Sequence, residues 1–377
     1  MSLDRFSEVK KNFGFGCMRL PMAEGAVDTA EFSAMVDAYL AAGFNYFDTA
    51  HGYLEGKSEP ALKACLTSRY PRESYVLTDK LTDMFFKCQE DIRPLFEQQL
   101  EACGVDYFDF YLMHAQTAER FAYYKSCRAY ETALELQAEG KFRHFGISIH
   151  DSAEVLRQIL TEYPQIEVVQ IQLNYIDFED PAVQSRKLLE TCREFGKAVL
   201  VMEPVKGGQL VNLPEEAAQV FAELGGSPAQ YAIRFAAGFP EVLAVLSGMS
   251  NMEQLQDNIG FMKDYQPLSA EEAAAVDKVR SIFTKLELVP CTACHYCTDV
   301  CPQQINIPEI FACLNKREIF HSWSQTYYYR SICTTPGHRA SDCLHCGACE
   351  EKCPQHLPIR EYLEKAAAAL EKKKEAK

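Results

Sequence analysis

The chain has 377 residues, 47% hydrophobic and 24% charged, a globular composition with no bias toward disorder; its length suits one large barrel with an appendage or two to three domains. A formal net charge of −15 disfavours nonspecific binding to nucleic acid or to an anionic lipid surface. No apolar run reaches the roughly eighteen residues of a membrane span, and the opening "MSLDRFSEVKKNFG" is not a secretion signal, so neither nucleic acid nor a membrane is expected as a partner and the expected location is the cytoplasm.

From residue 13 to residue 262 short apolar runs alternate with amphipathic ones. The runs "FGFGCM", "FNYFDTA", "SYVLTDK", "YFDFYLMHA", "HFGISIH", "VVQIQLNY", "AVLVMEP" and "VLAVLSG" read as eight strands. Between them lie helix-period stretches such as "DTAEFSAMVDAYLAAG" and "FEQQLEACG", several ending in a capping glycine. Others begin at a cap or proline, as in "DPAVQSRKLLETCREFG". Near-continuous apolar strands separated by helices predict a parallel sheet covered by helices. Eight repeats in this length fit a closed (β/α)8 TIM barrel, an α/β fold. An open doubly wound sheet would want G-x-G-x-x-G after its first strand, and "GFGCMR" does not supply it. Beyond the barrel, "SAEEAAAVDKVRSIF" reads as a linking helix and "EYLEKAAAALEKKKEAK" as a solvated, fraying one. The expected division is 1–285 for the barrel with its linker and 286–377 for a small second domain.

That second assignment rests on "CTACHYCTDVCP" and "CLHCGACEEKCP", two copies of C-x2-C-x2-C-x3-C-P at residues 291–302 and 343–354. In this run three thiolates hold one [4Fe–4S] cube and the fourth reaches the other cube. Two copies predict two [4Fe–4S] clusters with crossed ligation: Cys291, Cys294 and Cys297 with Cys353, and Cys343, Cys346 and Cys349 with Cys301. Zinc also takes four thiolates, but usually as two separated pairs rather than a triplet plus one. Pro302 and Pro354 turn the chain away from each site, and His295 and His345 are expected to tune or shield the sulfurs rather than bind iron. The helical insert "IPEIFACLNKREIF" resembles those of dicluster ferredoxin domains in respiratory and fermentative reductases, so residues 286–377 are expected to form a small α-helical ferredoxin-like iron–sulfur domain. The other eight of the sixteen cysteines (Cys17, Cys65, Cys88, Cys103, Cys127, Cys192, Cys313, Cys333) are expected to be small buried hydrophobes.

Barrel active sites lie at the C-terminal ends of the strands. There the second strand offers Asp48 and Tyr53, the third Lys80 and the fourth His114. A tyrosine near pKa 10 is a poor acid at neutral pH; an ammonium beside it favours phenolate, a carboxylate holds that ammonium, and a histidine can hydrogen-bond a carbonyl oxygen. Singly, Asp48 could be a helix cap, Tyr53 loop packing and His114 a satisfied strand-end histidine.

Together with "FDTAHGY", "DFYLMHA", "GKFRHFGIS" and "VMEPVKGG", in order and at matching spacing, the four residues resemble the aldo/keto reductase family over about residues 12 to 262. The resemblance implies NAD(P)H across the barrel mouth and hydride transfer between it and a small carbonyl substrate or the corresponding alcohol. Tyr53 would be general acid, Lys80 and Asp48 its tuning pair, and His114 the carbonyl orienter. The cofactor-binding positions it implies are Ser148, Gln170, Met202, Gly248, Gln254 and Asn258. Ile149 stands where the family has an asparagine beside Ser148, and Met202 where an aromatic ring usually stacks on the nicotinamide. Gly248 and Gln254 stand where basic residues bind the 2′-phosphate of NADP, which favours NAD, since charge-assisted bonds to phosphate are the strong ones. The chain looks like the subgroup with a C-terminal dicluster [4Fe–4S] segment. A hydride carrier and one-electron clusters need an adapter such as a flavin to share electrons. The three readings are a carbonyl reductase whose clusters serve a redox partner protein or regulation, an electron conduit with flavin or a redox substrate in the barrel, and an ordinary reductase with structural clusters.

Overall fold

Short β-branched and aromatic runs, each released by a cap or a turn, become the staves of a closed parallel barrel. The computed structural model describes residues 3–180, 183–208, 210–284, 288–289, 291, 295–320, 329, 334, 338–353 and 357–371. In chain order the strands are β1 (Phe13–Gly16), the two strands of a short hairpin, β2 (Met22–Ala23) and β3 (Ala26–Val27), then β4 (Tyr46–Asp48), β5 (Val76–Leu81), β6 (Phe108–Gln116), β7 (Phe142–Ile149), β8 (Val168–Gln172), β9 (Ala198–Met202) and β10 (Val242–Gly248). The barrel closes in the order β1-β10-β9-β8-β7-β6-β5-β4, every pair parallel, with the hairpin outside it. All eight expected strands are therefore present.

The period of two along a strand decides which side chains look inward. Tyr46, Val76, Phe110, Leu112, Val168, Ala198, Leu200, Ala244 and Leu246 form the inner core, with Phe6 buried against it. The alternate residues, among them Phe13, Phe15, Phe47, Leu77, Tyr111, Phe145, Val169 and Val245, belong to the larger outer core packed under the helices. Continuing the inward parity toward the C-terminal ends reaches Asp48, Lys80, His114, Ser148, Gln170, Met202 and Gly248. One alternation thus builds the core and aims the candidate site.

The helices follow their caps. Asp28 accepts from Ala30 and Glu31 N–H at the start of α1 (Thr29–Ala41), and Gly104, at φ 67°, ends the helix Gln89–Cys103 in the left-handed region that glycine favours. One expectation is corrected: the helix predicted from "DPAVQSRKLLETCREFG" begins at Ser185, after Gln184 at φ 54°, rather than at Asp180 or the proline. Of the scattered cysteines, Cys17, Cys65, Cys103, Cys127, Cys192 and Cys313 are buried. Cys88 is exposed and serves as the N-cap of Gln89–Cys103, a correction, and Cys333 lies outside the described residues.

The chain forms two compact units, Met1–Val211 with Leu224–Val276, and Asn212–Glu223 with Asp277–Lys377. The second unit takes in residues 212–223, a stretch that a boundary at 285/286 leaves with the barrel. Its core gathers Ile305, Ile307, Ile310, Phe311 and Leu314 with Leu357, Ile359, Leu363, Ala366 and Leu370. Helix Ile359–Leu370 packs against helix Ile307–Phe320 through this core. The C-terminal helix is thus half of a packed pair as far as Leu370, not the solvated helix expected from its charge; residues 372–377 lie outside the described residues.

Candidate active site and metal centre

Asp48 closes β4, Lys80 stands one residue from the end of β5, and the two meet inside the barrel. Lys80 Nζ lies 2.6 Å from Asp48 Oδ1 and donates at 2.6 Å to the Thr49 carbonyl, with both side chains almost fully shielded from water. Tyr53 begins the turn Tyr53–Gly56 after β4, and its ring centroid is 4.7 Å from Lys80 Nζ. The His114 ring lies 5.9 Å from the Tyr53 ring, edge to face, and its Nδ1 shares a 2.7 Å hydrogen bond with Thr82 Oγ1. The four residues expected to act together are therefore brought together.

Their electrostatics differ from the sequence expectation at one point. Burial pushes the Tyr53 phenol above its ordinary pKa; Lys80 pulls down, Asp48 pushes further up, and burial wins. The phenol is held protonated rather than poised to ionise. Burial alone would lower the Lys80 ammonium, but Asp48 and then Tyr53 reverse this, and its net pKa is raised, so Lys80 stays charged. Burial also raises the Asp48 carboxyl, with Lys80 and the Gln170 amide pulling it back in part. His114 is pushed well below its ordinary value by burial first and Lys80 second, so its imidazole is neutral.

The expected cofactor positions occupy the same rim. Ser148 and Gln170 pair in register across β7 and β8, and Ser148 Oγ accepts the Ala115 N–H at 2.6 Å. Met202 ends β9 and Gly248 ends β10. Past β10, Asn251 caps the helix Met252–Met262, exposed Gln254 accepts the Ser250 N–H at 2.8 Å, and Asn258 donates to the Gln254 carbonyl at 2.7 Å. Gln170 Oε1 and Asn258 Oδ1 are buried acceptors without a hydrogen-bond partner among the described residues. Buried polar atoms ordinarily find partners, so two at expected cofactor contacts fit a ligand that supplies donors.

Thr82, Arg19 and the buried Glu59–Asp79 pair escaped the sequence reading. Thr82, which orients His114, was signalled only by sharing the end of β5 with Lys80. Arg19, the one basic residue between β1 and α1, lies along Gly248: a Cβ on Gly248 would sit 3.2 Å from Arg19 Cδ. Behind Lys80, outside the barrel, Glu59 and Asp79 are buried together, with His51 Nδ1 2.9 Å from Glu59. Burial, reinforced by Glu59, pushes Asp79 well above the carboxylate range.

In the second unit Cys301, Cys343, Cys346 and Cys349 line one pocket, walled by Ile305 and Leu363. This is one of the two expected three-plus-one sets, with the lone cysteine contributed by the other repeat. The Ile305 N–H approaches Cys301 Sγ at 3.4 Å, the amide-to-sulfur contact a thiolate cluster uses. Cys291, Cys297 and Cys353 pack on the same core, while Cys294 and Pro354 lie outside the described residues.

A closed (β/α)8 barrel with an acid, an ammonium, a phenol and an imidazole at its C-terminal rim defines a barrel enzyme. Residues 12–281 match the aldo/keto reductase family, and the chain belongs to it; it is an oxidoreductase. Residues 290–357 match the 4Fe-4S dicluster domain. An NADH-specific methylglyoxal reductase of Escherichia coli (strain K12) is 29% identical over 187 residues, covering 45% of this chain and only 55% of that relative. An aldo-keto reductase of Mycolicibacterium vanbaalenii is 28% identical over 255 residues, 67% of this chain and 85% of the relative. Among solved structures, an aldo-keto reductase from Klebsiella pneumoniae in complex with NADPH matches with a TM-score of 0.60 at 20% identity, covering 71% of this chain and 90% of that one. The holo form of an aldo-keto reductase from Bacillus halodurans gives 0.57 at 24%, covering 72% and 92%. At these identities the solved structures establish the fold. No described helix is long and apolar enough to cross a membrane.

Proposed function

We propose that the barrel interconverts a small carbonyl compound and its alcohol with NAD(P)H, Tyr53 acting as general acid, and that the C-terminal module holds two [4Fe–4S] clusters that exchange electrons with a partner protein. The carrying observation is the Lys80 ammonium, 2.6 Å from Asp48 and 4.7 Å from the centre of the Tyr53 ring.

When bound, the reduced nicotinamide supplies hydride chemistry. The chain's own residues supply the proton and its control. With Nδ1 engaged by Thr82, the neutral His114 has Nε2 left to hydrogen-bond the substrate oxygen. Tyr53 Oη, kept protonated by burial, gives its proton to that oxygen as negative charge gathers there. The Lys80 ammonium then stabilises the phenolate left behind, and Asp48 and the Thr49 carbonyl keep the ammonium in place. Gln170 and Asn258, with their buried free acceptors, would hold the amide and adenosine ends of the dinucleotide.

NADH is the proposed preference. Gly248 and Gln254 offer no positive charge for a 2′-phosphate, and Glu31 Oε1 already accepts the Met252 N–H at 3.1 Å, placing a carboxylate at the start of the helix Met252–Met262. The E. coli relative is named as NADH-specific. Arg19, lying against Gly248, pulls the other way. For the clusters, the convergence of Cys301 with Cys343, Cys346 and Cys349 supports one complete ligand set.

Tyr53→Phe is the direct test. With methylglyoxal as probe and folded protein of unchanged iron content, removing the hydroxyl is expected to lower kcat by about 10²-fold or more. Activity within tenfold of the parent would remove Tyr53 as the acid.

A further inference from the structure

Aligning the two cysteine repeats pairs Cys301 with Cys353, Thr298 with Glu350, Val300 with Lys352 and Pro308 with Arg360. Asp299 and Glu351 match in charge, and each loop carries one histidine, His295 or His345. At the three differing positions the first repeat is uncharged, while the second carries one acid and two bases.

Arg360 lies on the wall of the pocket formed by Cys301, Cys343, Cys346 and Cys349. Its Cζ is 3.9 Å from where a Cβ on Gly347 would stand, and its Nη1 approaches the His345 carbonyl at 3.4 Å, both inside the cysteine loop. Glu350 fixes the side chain, accepting from Nη2 at 2.7 Å and Nε at 3.0 Å and from the Arg360 N–H at 2.9 Å. Arg360, not Glu350, is among the residues that line the pocket. The equivalent place in the other half of the repeat belongs to Pro308, which brings no charge.

One-electron reduction takes a [4Fe–4S] cluster from 2+ to 1+ with no bond or proton transferred, so a fixed cation on the pocket wall stabilises the reduced form. We propose that Arg360 makes the cluster in this pocket the more easily reduced of the two, so that a single electron delivered by an external one-electron donor comes to rest there. The inference rests on the two-cluster reading above. Arg360 acts as a positioning charge and contacts no substrate.

The test is an anaerobic potentiometric titration of the whole chain, with reduced viologen as electron source and electron paramagnetic resonance as readout. The parent protein is expected to contain about eight irons and to show two separate midpoints. Arg360→Gln should move the higher midpoint to more negative potential and leave the other in place. Arg360→Lys should hold near the parent value, and Glu350→Gln, which leaves the guanidinium uncompensated, should move the same midpoint upward. Should Arg360→Gln fail to assemble, the Lys and Glu350 variants decide the matter alone. Eight irons with unchanged midpoints in these variants, or a shift confined to the lower midpoint, would overturn the role of Arg360 and spare the two-cluster reading. Four irons or zinc would overturn both.

Discussion

An ammonium almost fully shielded from water is tolerated because Asp48 and the Thr49 carbonyl both face Lys80 at 2.6 Å. The identities of Tyr53, Lys80, Asp48 and His114 were legible because each sits at or just past the end of a strand the hydrophobic pattern marks. The direction of the Tyr53 pKa was not: it depends on how much water the fold removes, which no linear motif records. Thr82 was missed for a similar reason, because its partner His114 lies 32 positions away on the neighbouring strand. At the opposite end of the barrel His144 is gripped by two acids, with Nε2 2.7 Å from Glu8 and Nδ1 3.1 Å from Glu167. Burial alone would lower His144, but the two carboxylates raise it to about 9. A group whose folded value lies above its unfolded value of about 6.5 contributes fully below pH ~6.5, and the contribution fades as pH rises through ~9. At most it amounts to about 3 kcal/mol. Urea unfolding of the barrel followed by circular dichroism should show a midpoint falling between about pH 7 and about pH 10, one unit beyond the shifted value, with His144→Gln flattening that slope. A variant as pH-sensitive as the parent would rule out this pair of contacts.

At the scale of elements, the apolar runs located all eight barrel strands because a strand buried on both faces carries little polar alternation to confuse it. Element ends were harder. The helix at Ser185 starts late because the chain first turns through a left-handed residue at Gln184, and the last helix is buried because its partner, Ile307–Phe320, comes from the insert between the repeats. Close packing inside the barrel also constrains single positions. A Cβ added to Gly146, in the middle of β7, would come within 2.4 Å of side-chain atoms of Leu112 and Val168 and 2.8 Å of the Val168 carbonyl oxygen. Overpacking of this kind typically destabilises by about 1–3 kcal/mol. Gly146→Ala should therefore lower the barrel's thermal midpoint in differential scanning calorimetry, and an unchanged midpoint would show that β7 can shift to make room.

For the whole molecule, the backbone passes between its two compact units at 211/212, at 223/224 and at 276/277. Residues 215–222 form a helix whose Ala217, Val220 and Phe221 are buried, and it belongs to the unit that also contains the cysteine repeats. A chain ending at residue 276 should accordingly expose that apolar face and run as aggregates in size-exclusion chromatography, whereas adding Val220→Asp and Phe221→Ser to the same shortened chain should restore a single monomeric peak. Equal behaviour of the two would mean the helix does not depend on the second unit. Because the backbone crosses between the units three times, the unit that carries the cysteine repeats is not one continuous stretch of chain. Any transplant of that unit onto another enzyme would have to carry the helix at residues 215–222 from the middle of the donor's sequence as well as its C-terminal stretch, which a cut at a single chain position cannot do.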